Sequence, residues 1–217
     1  MKPSPITFPK VPSLFELKQG YPGLKALFFD MDGTLFNTEE YHAQAMFMIG
    51  ERYKIRPPYS PETVHDLMMG KADHLVFDII KDWEGVPKEW TAADFIHQKN
   101  ANLIEILAKV DPAKYFPTAI LSLLKEAKTE GIYLALVTSS EKVVTEELLK
   151  IAKVRDFFNL ILTRDDCPSH KPDPWPYLKA MKESHFDKSE IIIFEDSNVG
   201  LEAAISSGAH VIKVGWY

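Results

Sequence analysis

Short apolar runs that end in polar or acidic residues alternate along this chain with longer stretches of helical spacing. Ala26-Leu-Phe-Phe29, bounded upstream by Pro22 and Gly23, reads as a strand buried on both faces of a parallel sheet. Ile132–Val137, Asn159–Leu162, Glu190–Phe194 and His210–Val214 read the same way. Between them, Ile120, Leu121, Leu124 and Ala127 mark one helix face that Gly131 closes, and Val144, Leu148 and Ile151 mark another over 142–152. Ser197 stands where it can cap a helix carrying Gly200, Ala203 and Ala204, which Gly208 stops. Strands alternating with helices predict an α/β domain with a parallel, doubly wound sheet.

The stretch from Asn37 to about Tyr115 breaks this alternation, being rich in helix formers and without a strand pattern. Asn37 or Thr38 is placed to cap a helix opening on Glu39 and Glu40, with Ala45, Ile49 and Tyr53 on one face. Arg56 to Pro61 interrupts, and further helices are expected over 62–68, 72–83 and 92–107, with Gly85 and Pro87 between the last two. The helical block is therefore an insertion after the first strand. The expected organisation is an N-terminal arm over 1–23, a core made of 24–38 and 116–217, and a helical unit over 39–115. Pro3, Pro5, Pro9 and Pro12 make the arm extended, while Ile6, Phe8, Val11, Leu14, Phe15 and Leu17 favour its docking on the domain.

Composition narrows the chemistry. The formal charge of -6 over 217 residues, with no basic stripe, argues against nucleic acid as a partner. An anionic substrate would have to be drawn in locally, by a metal ion and a few lysines. The single cysteine, Cys167, excludes an intramolecular disulfide and a cysteine-based zinc site, fits a reducing cytosol, and is expected to be inert. No apolar run approaches the length of a membrane span, and the early prolines fall where a signal peptide needs its unbroken apolar region. A cytoplasmic monomer without a membrane partner is the expectation.

The chemistry gathers where the apolar runs end. Asp30 and Asp32 follow the first strand, Thr138 the second, Lys171 lies in the loop before a later helix, and Glu195 and Asp196 close the fourth strand. Ligands of open α/β sheets bind beyond the carboxyl ends of the strands. Taken alone, Asp32-Gly33 is an ordinary turn after a strand. In combination, clustered carboxylates call for a hard divalent cation with oxygen ligands, Mg²⁺ above all, while a lysine and a threonine hydroxyl complement phosphoryl oxygens. The set fits phosphoryl transfer to a carboxylate with charge stabilisation from metal and lysine.

Asp30-Met-Asp32-Gly-Thr34, Thr138, Lys171-Pro-Asp-Pro and Glu195-Asp196-Ser resemble, in order, the four motifs of the haloacid dehalogenase superfamily, from about residue 24 to the end. Thr38-Glu39-Glu40-Tyr41-His42, Lys99-Asn100-Ala-Asn102 and Glu195 to Gly200 are similar to its β-phosphoglucomutase-like branch, whose helical cap the insertion resembles. The resemblance implies a Rossmann-like core, Mg²⁺, and a site closed by cap movement. It implies Asp30 as the nucleophile and Asp32 as the group that protonates the leaving oxygen and then activates water. It also implies Mg²⁺ bound by Asp30, the Asp32 backbone carbonyl and Asp196, with Glu195 contributing directly or through water, and phosphate held by Thr138, the Ser139 amide and Lys171. His170, Pro117-Thr118 and Asn37 depart from the usual pattern, as does a last strand followed only by Gly215, Trp216 and Tyr217.

Lys71 lies where the branch often carries an arginine that contacts substrate, and it would supply a point charge in place of a bidentate fork. His42 reads as a hinge or core histidine, His170 as a loop-surface residue, and Trp83, Trp90, Trp175 and Trp216 as packing residues. The expected function is a Mg²⁺-dependent phosphatase for a small phosphorylated metabolite. The alternatives are a phosphomutase of the β-phosphoglucomutase kind and a non-catalytic receiver-like module. A receiver keeps its phospho-acceptor after a later strand and has no helical insertion. Thr34, where the mutase resemblance would expect an aliphatic residue, favours the phosphatase over the mutase.

Overall fold

A computed structural model describes residues 5–68 and 73–217. The chain divides into two compact units, one comprising the described residues up to Thr38 together with Asp111–Tyr217, the other Glu39–Val110.

The first unit is built on a six-stranded parallel sheet. Its strands are β1 (Ile6–Phe8), β2 (Ala26–Phe29), β3 (Tyr133–Val137), β4 (Leu160–Leu162), β5 (Ile191–Glu195) and β6 (His210–Val214), in the spatial order β1-β6-β5-β2-β3-β4. From β2 the chain runs outward through β3 and β4, then returns to the other side of β2 with β5. The strand order thus reverses at β2, and the crevice at such a switch point is where open α/β sheets bind their ligands. Register brings the strand ends together, since Phe29 is level with Leu136 on one side and Phe194 on the other.

Every residue of β2 is buried, as its unbroken apolar run requires. On one face Phe28, Ala135 and Ile193 pack with Tyr177 and Ala180 of helix α8 (Trp175–Ser184) and Ala203 and Ala204 of α9 (Asn198–Ser207). Phe29 stacks on Phe194 with ring centroids 4.7 Å apart. The unit also contains α6 (Thr118–Thr129) and α7 (Lys142–Ile151). In α6 the buried positions are Ile120, Leu123, Leu124 and Ala127, so Leu123 takes the place expected for Leu121.

The arm is extended, as expected, only over its first part. Ile6–Phe8 pairs with β6 as an edge strand, and Leu14–Gly20 folds as helix α1. Ser13 and Glu16 cap that helix reciprocally, and Leu14 and Leu17 are buried. Phe15, expected to dock, is instead 69% exposed, because the helix turns it about 100° from Leu14, off the face that Leu14 and Leu17 bury.

The second unit contains α2 (Glu39–Tyr53), α3 (Pro61–Met68), α4 (Asp73–Ile80) and α5 (Ala92–Leu107). Helix α4 stops at Ile80, short of the expected 83, and Trp83 enters the core from a turn. Ile49, Val76, Phe77, Ile80, Trp83, Val86 and Phe95 form this unit's core. Lys99 is buried and pairs with Asp73 at 2.6 Å, while Asn102 donates to the Ala45 carbonyl and accepts from Arg52. The unit ends at Val110, before the expected 115. Tyr115 belongs with the sheet because its carbonyl accepts from the Asn37 amide and its ring packs edge-on to Phe36.

Candidate active site

Asp30 leaves β2 with its amide still donating to the Phe194 carbonyl, so the sheet itself aims its side chain. The carboxylate is buried beside Lys171, whose ammonium lies 2.6 Å from Asp30 Oδ1, 2.6 Å from Glu195 Oε1 and 2.9 Å from the Val137 carbonyl. Those three acceptors use all three of its hydrogens. The loop before α8 thus brings a cation to the point where β2, β3 and β5 end.

Glu195 has no exposure and also accepts from the Tyr177 hydroxyl at 2.7 Å. The first turn of α9 passes directly beneath it. A Cβ on Gly200 would fall 2.0 Å from Glu195 Oε1, so only glycine fits there. Asp196 follows, and its Oδ1 accepts from the Thr34 hydroxyl at 2.8 Å. Gly33, at φ +78°, comes close beneath this carboxylate, where a Cβ would lie 2.3 Å from Asp196 Oδ2. Both glycines are therefore consequences of packing backbone against carboxylates, the buried Glu195 and the half-buried Asp196.

Among the described residues, Asp30, Glu195 and Asp196 form a cluster in which one oxygen from each lies within 4.8 Å of the others. Burial, joined by the Glu195 and Asp196 charges, pushes the Asp30 carboxyl well above the ordinary range, with Lys171 pulling it back only in part. Burial is also the main cause that lifts Asp196 to about 6, Glu195 adding to it and the Thr34 hydroxyl opposing. Burial alone would lower Lys171, but the Asp30 and Glu195 carboxylates outweigh it and hold the ammonium charged. Three carboxylates against one ammonium leave two negative charges in excess, which a single divalent cation would cancel. The donor set is all oxygen, and it fits a hard divalent metal.

Asp32 stands apart from this cluster. Its Oδ1 accepts from the Thr38 hydroxyl at 2.5 Å and its Oδ2 from the Ser140 hydroxyl at 2.7 Å. Thr138 is buried, and its hydroxyl oxygen accepts from the Ser140 amide at 3.0 Å, which turns the chain after β3. Ser139, on this turn, is exposed.

A family model described as haloacid dehalogenase-like hydrolase matches residues 27–214. The chain belongs to that family. This haloacid dehalogenase-like hydrolase is 28% identical to a phosphorylated carbohydrates phosphatase of Thermotoga maritima, over 85% of the chain and 82% of the relative. It is 27% identical to a β-phosphoglucomutase of Bacillus subtilis, over 88% of the chain and 84% of the relative, in keeping with the branch its motifs resemble. Among solved structures it resembles CbbY from Rhodobacter sphaeroides in complex with phosphate, with a TM-score of 0.76 and 26% identity, covering 88% of this chain and 85% of that one.

Within this family framework, the structure brings Asp30, Lys171, Glu195 and Asp196 together and sets Asp32 beside Thr38 and Ser140. Lys71 lies outside the described residues. Sequence reasoning passed over four participants: Tyr177 on Glu195, Ser140 on Asp32, and Trp216 and Tyr217, which donate to the Thr34 and Leu35 carbonyls. Trp216 is thus more than the packing residue its type suggested. Nothing in local spacing marks any of these contacts, because each joins segments distant in the chain.

Proposed function

We propose that the protein is a Mg²⁺-dependent phosphatase that hydrolyses a small phosphorylated metabolite, such as a sugar phosphate, through an aspartyl-phosphate at Asp30. The observation that carries this reading is the buried Asp30 carboxylate, 2.6 Å from Lys171 and clustered with Glu195 and Asp196 at the ends of parallel strands. The phosphatase of Thermotoga maritima and the phosphate complex of the CbbY structure support the substrate class.

In the first half-reaction a carboxylate oxygen of Asp30 bonds to phosphorus as the bond to the leaving alkoxide breaks, and Asp32 supplies the proton to that oxygen. In the second, Asp32 takes a proton from water as the water oxygen attacks phosphorus, releasing inorganic phosphate and restoring Asp30. Thr38 and Ser140 suit both protonation states of Asp32, because a hydroxyl can donate to the carboxylate or accept from the acid. The metal, when bound by Asp30, Glu195, Asp196 and the Asp32 carbonyl, supplies charge neutralisation for the phosphoryl group. Thr138, the Ser139 amide and Lys171 hold the phosphate in this reading, Lys171 exchanging one of its three protein acceptors for a phosphoryl oxygen. Lys171 also holds Asp30 and Glu195 in place before substrate arrives.

The test is phosphate release across a panel of sugar phosphates, glycerol phosphates, nucleotides and phosphoglycolate, with and without chelator. Release from none of them, with Mg²⁺ present, would overturn the reading. The β-phosphoglucomutase relative makes one further arm necessary, in which β-glucose 1-phosphate and a bisphosphate primer are supplied. Glucose 6-phosphate formed faster than inorganic phosphate would identify a mutase instead.

A further inference from the structure

The residues after β6 are tied to the loop that carries Asp32. The Trp216 indole donates to the Thr34 carbonyl at 3.3 Å, and the Tyr217 hydroxyl donates to the Leu35 carbonyl at 2.9 Å. Other backbone groups of this loop are satisfied inside it. The Gly33 amide donates to the Phe36 carbonyl at 2.7 Å, and the amides of Leu35 and Phe36 both donate to the Met31 carbonyl at 2.9 Å. Thr34, Leu35 and Phe36 have no exposure. Carbonyls of so buried a loop need donors, and for Thr34 and Leu35 the indole and phenol supply them.

Thr34 works in two directions. Its carbonyl is held by Trp216, while its hydroxyl donates to Asp196 Oδ1 at 2.8 Å. The indole also packs against Phe194, the residue before Glu195, with centroids 5.9 Å apart. Asp196, the acidic residue that follows β5, is thereby braced through Thr34, while the ring of Phe194 seats the indole.

We propose that Trp216 and Tyr217 are positioning residues, which fix the Asp196 carboxylate through Thr34 and so set the affinity of the acidic cluster for a divalent cation. This rests on reading Asp30, Glu195 and Asp196 as metal ligands. Groups that orient a ligand from outside its coordination sphere govern metal affinity as well as geometry.

The experiment compares metal-stripped wild type with Trp216→Phe/Tyr217→Phe, which keeps an aromatic ring at each position and removes both donors. Free Mn²⁺ is followed by electron paramagnetic resonance, and amide exchange is followed over residues 33–36. The Mn²⁺ dissociation constant is expected to rise about three- to tenfold, and exchange in the loop to quicken. Tyr217→Phe alone, which loses one hydroxyl from a residue 44% exposed, is expected to raise it about twofold and serves if the double variant does not fold. Leu17→Ala, in the buried face of α1, is the control, expected to lower the melting temperature with the Mn²⁺ constant unchanged. Equal Mn²⁺ affinity in wild type and variants would overturn the inference alone. A wild type that binds no Mn²⁺ would overturn the metal reading and the inference with it.

Discussion

The Tyr177 hydroxyl donates to Glu195 at 2.7 Å, and neither side chain has any exposure. The ammonium of Lys171 lies over the same tyrosine ring, 5.0 Å from its centroid. Burial first, then the negative charge of Glu195, pushes the Tyr177 phenol well above its ordinary range, so it remains a donor at any pH the fold survives. Tyr177→Phe removes that donor and leaves the Glu195 acceptor poorer by one bond. The expected cost is about 1–3 kcal/mol of stability, read from urea unfolding. An unchanged unfolding midpoint would show that Glu195 does not depend on the tyrosine.

Asp30→Asn keeps the shape of the side chain and removes its charge. Turnover should fall by more than about a thousandfold, as expected when a nucleophile is lost. The metal-free variant should be at least as stable as wild type, because one of three crowded carboxylates is gone. Steady-state rates and thermal unfolding check both halves. Activity within tenfold of wild type would remove Asp30 from the role of nucleophile.

Metal-free protein should show an inverted dependence on pH near the site. The folded-state value of Asp196 is raised from 3.8 to about 6, and that of Asp30 moves in the same direction. The folded protein therefore holds these protons more tightly than the unfolded chain does. The Asp196 contribution is fully present below pH 3.8 and is lost as pH rises through about 6, and that of Asp30 has the same sign. A divalent cation relieves the same repulsion, so the gain in melting temperature on adding Mg²⁺ should be small near the lower value and large above the upper one. A gain independent of pH would mean that the cation binds elsewhere.

Gly200→Ala places a methyl group where the Glu195 carboxylate now sits, 2.0 Å from Oε1. Either the carboxylate or the first turn of α9 must move. The expected cost is about 1–3 kcal/mol in stability, with weakened Mg²⁺ dependence of any activity. A titration with Mg²⁺ identical to that of wild type would show that Glu195 takes no part in holding the ion.

The sheet and its acidic end were legible in the sequence for a simple reason. A parallel strand buried on both faces must be an apolar run, and the first polar residues after it must lie at the sheet's carboxyl edge. Asp30, Thr138, Glu195 and Asp196 all announce themselves in that way. Helix α1 was hidden among prolines, yet Ser13 and Glu16 stood at capping-box spacing with Leu14 and Leu17 on one face. Tyr177 reads as an ordinary core residue of α8, because nothing along the chain reveals that its hydroxyl meets Glu195. Ser140 reads as one of a pair of serines for the same reason. Contacts between side chains far apart in sequence depend on register and crossover, which periodicity does not encode.

The pairing of β1 with β6 has a consequence for how the chain is made. Ile6 lies beside Ile212, so β1 has no partner in the sheet until β6, the last strand of the sheet in chain order, has been made. The other five strands can assemble without it, since β6 rests on β5. The arm then closes the sheet as a late event of high contact order, after the acidic site has formed. Until that moment the edge of β6 stays open to pairing with any other extended segment, including the same edge of another nascent chain. Docking of β1 thus covers a sheet edge that would otherwise be prone to association.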